Sequence, residues 1–340
     1  MRKINYSFLL FFTTFLSVSI VSCQIISPLQ KMVKSQEMAQ EAEKYFRAGE
    51  YDKAIQIYSK AIELNPSSLT AYYNRGIAYS RKGNYENAVA DYTKAIERDP
   101  NFAKGYASRG NAYIKKDNFG LAITDFNKAI EIEPKSAGHY VSRSVYYANV
   151  ENYNLVISDC TKAIELDPTL ATAHNNRGFA YIFKGKYDLA ITDLNKAIEL
   201  NPKHSLAYDN RGLLYIKKQD YDKALPEVNK AIELNPTLPE AYDNRGAIYF
   251  GKRDFEKAMI EFNKAIELNP KLAMAYNHRG NVFYEQDKYE QAILEFSKAI
   301  ELNPKLIEAY EGRFKTYNKK GEKAKAENDR LKAAELKNNF

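Results

Sequence analysis

An arginine returns every 34 residues along most of the chain, at Arg75, Arg109, Arg143, Arg177, Arg211, Arg245, Arg279 and Arg313. A row of cations at constant spacing could bind an acidic peptide or a nucleic-acid backbone. A competing chemistry stands 16 residues after each of them, where Asp91, Asp125, Asp159, Asp193, Glu227, Glu261, Glu295 and Asp329 recur. One period upstream of Arg75, Glu41 replaces the arginine and Ile57 replaces the acid, so both partners vanish together. Pairing across neighbouring periods would orphan Arg75 and Asp329, whereas pairing within each period orphans nothing. The ladder therefore reads as structural ion pairs, Arg75 with Asp91 and so on to Arg279 with Glu295. Each pair is worth less than about 1 kcal/mol if solvated, but about 3–5 kcal/mol is lost when one partner of a buried pair is removed.

The other charged and reactive residues point away from catalysis. Lys60 and Glu63, Lys94 and Glu97, through Lys298 and Glu301, repeat at a spacing of three and read as a solvated helix face. The 50 basic and 43 acidic residues leave a net charge of +7, and acids in every period argue against a nucleic-acid partner. His139, His174, His204 and His278 fall at different places in the period, with no metal-ligand spacing and no paired nucleophile. Neither a phosphate-cradling glycine loop nor a hydrolase or metalloprotease motif is present. The expectation is a non-enzyme with no cofactor and no metal.

A proline marks the same period in the elements that carry these residues: Pro66, Pro100, Pro134, Pro168, Pro202, Pro236, Pro270 and Pro304, each after Asn, Asp or Glu. Proline there ends a helix. Aligned on the prolines, eight units span 35–68, 69–102, 103–136, 137–170, 171–204, 205–238, 239–272 and 273–306. In each, positions 4, 8 and 11, such as Tyr72, Gly76 and Tyr79, make one helical face. Positions 17, 20, 24 and 27, such as Ala88 and Tyr92, make a second after a Gly, Asn or Asp turn. The unit is helix, tight turn, helix, and the fold class is all-α. Cys160 falls at position 24, where sibling units place Tyr58, Tyr92 and Phe126, and reads as a buried small hydrophobe.

These residues resemble the tetratricopeptide repeat, whose pattern of a large residue, Gly, Tyr, Gly, Tyr, Ala, aromatic, Ala and Pro they match. The resemblance implies a right-handed α-solenoid, a superhelix of stacked hairpins with first helices lining a concave groove. It also implies a protein or peptide ligand. On that basis positions 2, 5, 6, 9 and 12 of the first helices are the candidate contacts. They include Asn74, Asn175, Asn176, Asp209, Asn210, Asp243, Asn244, Asn277 and His278. Asparagine offers a donor and an acceptor to an extended backbone, and Asp209 and Asp243 favour a polar or basic ligand. The alternative is that asparagine at position 6 serves helix-start packing alone. The basic clamp of chaperone-binding relatives is not visible, since Ala107 and Asn277 stand where it requires lysine.

The two ends depart from the period. Residues 1–22 combine Arg2 and Lys3, an apolar run from Phe8 to Val21, and Ser22 before Cys23, which reads as an export signal. Ile20-Val21-Ser22-Cys23 resembles a bacterial lipoprotein signal, which would make Cys23 the lipidated residue and 23–34 a short tether. An ordinary secretory signal or a signal anchor remains the alternative, and no disulfide with Cys160 is expected. Residues 307–340 keep Tyr310, Arg313, Tyr317, Gly321, Ala326 and Ala333 but carry Arg330 at position 24 and lack the closing proline. They read as a degenerate ninth repeat or capping hairpin. The functional expectation is an exported, membrane-anchored scaffold of the cell envelope that seats a segment of another protein. The alternative is a structural array built through lateral or end-to-end contacts, with oligomers possible.

Overall fold

The computed structural model describes residues 27–338, so residues 1–22 and Cys23 lie outside the described residues. Every described element is a helix. The first helices of the hairpins are α1 (Pro28–Arg47), α3 (Leu69–Arg81), α5 (Ala103–Lys115), α7 (Ala137–Asn149), α9 (Ala171–Phe183), α11 (Ser205–Lys217), α13 (Pro239–Gly251), α15 (Ala273–Glu285) and α17 (Ile307–Lys320). The second helices are α2 (Tyr51–Leu64), α4 (Tyr85–Arg98), α6 (Phe119–Ile132), α8 (Tyr153–Leu166), α10 (Tyr187–Leu200), α12 (Tyr221–Leu234), α14 (Phe255–Leu268), α16 (Tyr289–Leu302) and α18 (Lys323–Asn338). From α3 onward every first helix starts on the first residue of its 34-residue period. Residues 28–34, expected within the tether, are helical instead. Ser27 and Gln30 form a reciprocal capping box, and Pro28 sits at the first helical position, where a missing N–H costs nothing.

Two local devices set the period. At the end of the second helix the Asn or Asp before the proline folds back on the chain. Asp99 Oδ1 accepts from Asn101 N at 2.9 Å, and Asn201 Oδ1 accepts from Lys203 N at 3.1 Å. That side chain caps the turn around a proline that cannot continue the helix. Inside the hairpin, one turn residue per period has positive φ, as glycine at Gly83 (76°) and Gly185 (67°) but as Glu151 (57°) and Arg253 (61°) elsewhere. The non-glycine residues carry a modest backbone cost that the packed helices on either side over-determine.

The described hairpins fall into two compact units, one up to Asp125 and one from Phe126 onward. In the first, Ala54, Tyr58, Ala88 and Tyr92 are buried between paired helices. In the second, Val156, Cys160, Leu194, Val228, Phe262 and Phe296 are fully buried at equivalent positions. Burial of each large side chain contributes about 1.5–3 kcal/mol. Opposite them sits a small residue: a Cβ on Gly212 would lie 2.5 Å from Val228 Cγ2. The fourth repeat tolerates Ser144 at this position because its partner is the smaller Cys160, whose thiol burial pushes up to about 12. That cysteine is packing rather than chemistry. Among the described residues no helix is long and apolar enough to cross a membrane.

Candidate ligand groove

Two hydrogen-bonded ladders run through the hairpins. The outer one is built on the recurring arginine. Arg75 donates Nε to Asp91 Oδ2 and Nη2 to Asp91 Oδ1, both at 2.7 Å, and Nη1 to Ser59 Oγ at 2.8 Å. Arg109 does the same with Asp125 and Thr93, Arg143 with Asp159 and Asn127, Arg177 with Asp193 and Thr161, and Arg313 with Asp329 and Ser297. Each arginine therefore fastens its own hairpin and ties it to the preceding one. The position-25 partner, always Ser, Thr or Asn, lies 16 residues upstream. Burial raises the Asp91 carboxyl above its ordinary value even beside Arg75, while the hydrogen bond to Asp91 raises Arg75. Desolvation thus offsets much of the attraction, and the pair matters mainly through what its loss would leave buried. Where glutamate replaces aspartate the fit is looser. Arg211 and Arg245 reach Glu227 and Glu261 through Nη2 alone, leaving each Nε buried without a partner. Arg279 regains both contacts with Glu295.

The inner ladder joins neighbouring first helices. Where both residues are polar, position 5 of one repeat pairs with position 6 of the next, 35 residues on. Asn210 Nδ2 donates to Asn175 Oδ1, and Asn244 Nδ2 to Asp209 Oδ1, each at 2.9 Å. His278 Nδ1 lies 2.9 Å from Asp243 Oδ1. Tyr73 and Ser108 make the same contact in the first unit at 3.2 Å. Asn176 departs from the register and donates to Ser144 Oγ at 3.3 Å. Six of the candidate ligand contacts, Asn175, Asp209, Asn210, Asp243, Asn244 and His278, therefore pair with one another. Asn277, at position 5 of the eighth repeat, has a buried Oδ1 with no partner, because the ninth repeat places Gly312 at position 6. An unpaired buried amide oxygen costs about 1–3 kcal/mol.

Burial disturbs the two titratable rungs in opposite senses. Asp209 is pushed up to about 7 by desolvation, reinforced by the charges of Glu240 and Asp243 and opposed by the Asn244 hydrogen bond. For His278 burial resists protonation, but the Asp243 charge and hydrogen bond outweigh it and the imidazole is raised. His174 takes the place of a position-4 tyrosine. Its Nε2 lies 3.3 Å from the Pro168 carbonyl, the contact that Tyr242 makes to Pro236 at 3.1 Å. No set of three His, Cys, Asp or Glu side chains that could hold a metal occurs among the described residues.

These rungs floor a cavity of about 810 Å³ in the second unit, walled by the first helices α7 to α17. Its wall is apolar toward the fourth to sixth repeats, where Val145, Phe179, Phe183, Leu206 and Leu213 line it, and acidic toward the seventh and ninth, at Glu240, Asp243 and Glu308. Phe183 stacks on Tyr153 at 4.7 Å between ring centroids yet remains 44% exposed, and Leu206 is 43% exposed. A side chain left bare inside a concave wall is where apolar contact area remains to be gained. Asn74 stands apart from this group, lining a cavity of about 850 Å³ in the first unit with Glu43, Ser68 and Thr70. The apolar wall escaped the sequence reading, although position 9 runs Val145, Phe179, Leu213, Ala247, Asn281, Lys315 from apolar to charged.

Comparison with known proteins gives a consistent answer. Models described as TPR repeat match residues 42–83, 212–252 and 280–321, and tetratricopeptide repeat models match 70–102, 103–136, 171–204, 194–225, 239–272 and 261–294. Together these spans cover well over half of the chain. The Cut9 and Hcn1 hetero-tetramer of the APC/C superposes with a TM-score of 0.64 at 18% identity, over 82% of this chain and 55% of that one. A tetratricopeptide repeat protein from Parabacteroides merdae gives 0.61 at 19% identity, over 73% of this chain and 98% of that one. Both likenesses concern the fold. Serine/threonine-protein phosphatase 5 of Homo sapiens is 48% identical over 46 residues, and that of Rattus norvegicus likewise, covering 14% of this chain. The chain spans only 9% of the length of these relatives.

Proposed function

The chain belongs to the tetratricopeptide repeat family, and we propose on that basis that it is a non-enzymatic scaffold whose second unit seats a segment of another protein. The observation that carries this reading is the cavity wall, in which exposed Phe183 and Leu206 stand beside carboxylates on a framework of stacked helices. A helical or extended segment could cover those side chains and draw binding energy from their burial. The test is to select peptides from a random display library on the full chain and titrate the winners against variants. Leu206→Asp and Phe183→Asp should weaken binding at least about tenfold, a change of about 1.4 kcal/mol, while Lys196→Asp on the outer helix α10 should not. Equal binding by all variants would remove the groove from the account.

Residues 1–23 are proposed to export the chain and to anchor it through lipid on Cys23. What supports this is the basic start, the apolar run and the Ser22-Cys23 junction. A single acyl chain holds a protein only marginally, so stable anchoring requires several. Metabolic lipid labelling should be lost in Cys23→Ala, and labelling that persists would contradict the anchor.

A further inference from the structure

The inner ladder ends on a missing rung. Asn175, Asp209 and Asp243 each face a polar position-6 side chain of the next repeat, but Asn277 faces Gly312. The donor cannot be restored by a simple exchange, because a Cβ on Gly312 would lie 2.5 Å from the Phe296 ring. Asn277 is 3% exposed, its Nδ2 reaches only the Met274 sulfur at 3.8 Å, and its Oδ1 has no partner. Both Asn277 and Gly312 line the groove cavity. Buried amide oxygens are nearly always paired, so an unpaired one on a residue lining a cavity is a place for a donor.

The surroundings define the donor. Glu308, on the first turn of α17, lines the same cavity, is exposed and makes no ion pair among the described residues. It lies close enough to Glu151, Tyr153 and His278 to act on the ionisation of all three. Glu240 is likewise exposed and unpaired, and the only lysines on the wall are Lys217 and Lys315. An acidic lining in a chain of net charge +7 is a local arrangement rather than a reflection of composition. We propose that the segment bound in the groove carries a lysine or arginine whose N–H groups complete the rung at Asn277 and whose charge is met by Glu308. Its neighbouring apolar side chains lie on Phe183, Leu206 and Leu213. A cationic donor suits the site because one group supplies both the hydrogen bond and the charge, and charge-assisted hydrogen bonds are about twice as strong as neutral ones.

This inference rests on the groove reading, and the test separates the two. The probe is the same display library, selected on the full chain and followed by titration of synthetic winners. Peptides that depend on Leu206 should be enriched in Lys or Arg. Asn277→Leu and Glu308→Gln should each weaken them about tenfold, and replacing the peptide's basic residue by alanine should abolish that difference. Asn277→Leu should also raise the melting temperature, since it removes an unpaired polar group, an outcome a purely structural asparagine would not give together with lost binding. Glu308→Gln alters an exposed residue and keeps the test valid if Asn277→Leu folds poorly. Peptides that depend on Leu206 but lack basic enrichment, and that bind both variants as well as the parent, would overturn the cationic site and leave the groove standing. A selection in which nothing depends on Leu206 would overturn both.

Discussion

The outer and inner ladders join the same hairpins with hydrogen bonds of similar length, yet they differ in regularity. The outer ladder repeats one arginine, one acid and one Ser, Thr or Asn per period, from Ser59 to Asp329. The inner ladder changes its chemistry at every rung, from amide with amide to carboxylate with amide to carboxylate with imidazole, and ends unpaired at Asn277. Uniformity is what repeated stacking requires, because each interface solves the same packing problem. Variation in side-chain chemistry concentrated on one face is what a surface built for one partner requires.

The contrast can be broken most severely from outside. Arg75→Ala leaves Asp91, 4% exposed, without its counter-charge, and should cost about 3–5 kcal/mol in urea denaturation. A cost below about 1 kcal/mol would return the arginines to the candidate ligand surface. The inner ladder should respond in the opposite direction. Asp209, with its pKa raised to about 7, holds its proton more tightly folded than unfolded, so stability is full below the ordinary carboxylate range near pH 4 and falls as pH rises toward 7. Asp209→Asn keeps the acceptor for Asn244, as Asn175 does for Asn210, and removes the titration. It should stabilise by on the order of 2–4 kcal/mol at pH 8 and much less at pH 5, and an equal effect at both would contradict the assignment. The smallest effect sharpens the outer ladder. Glu261→Asp should let Arg245 adopt the two-pronged contact that Arg143 makes with Asp159 beside an equivalent asparagine, pairing the orphan Nε. A gain of about 0.5–1.5 kcal/mol is expected, and a loss would show that the shorter acid cannot reach.

Much of the architecture was legible in the sequence because the period is carried by residues with strong local physics. Proline ends each second helix, and the helix starts from Leu69 to Ile307 follow it without drift. The pairing of arginine with acid was legible because Glu41 and Ile57 depart together, which identifies partners without a structure. Its third member was not: Ser59, Thr93 and Asn127 stand in plain view at position 25, but only stacking shows that they face the next repeat's arginine. The same limit governs the groove. From the fifth repeat onward positions 5 and 6 are rich in amides and carboxylates, yet those positions lie on the seam between first helices, and the sequence does not say whether an amide points to a ligand or to its neighbour. The apolar wall of Phe179, Phe183 and Leu213 was hidden because aromatic and aliphatic residues recur as core throughout the period.

The claim that the inner face is the binding surface is tested most directly by photo-cross-linking in the source cells. A photoreactive residue would be placed at Leu206, 43% exposed on the cavity wall, and in a parallel chain at Lys196 on the outer helix α10. A discrete protein adduct is expected from position 206, absent from position 196 and diminished by Glu308→Gln. The same adducts from both positions, or none from position 206, would contradict it.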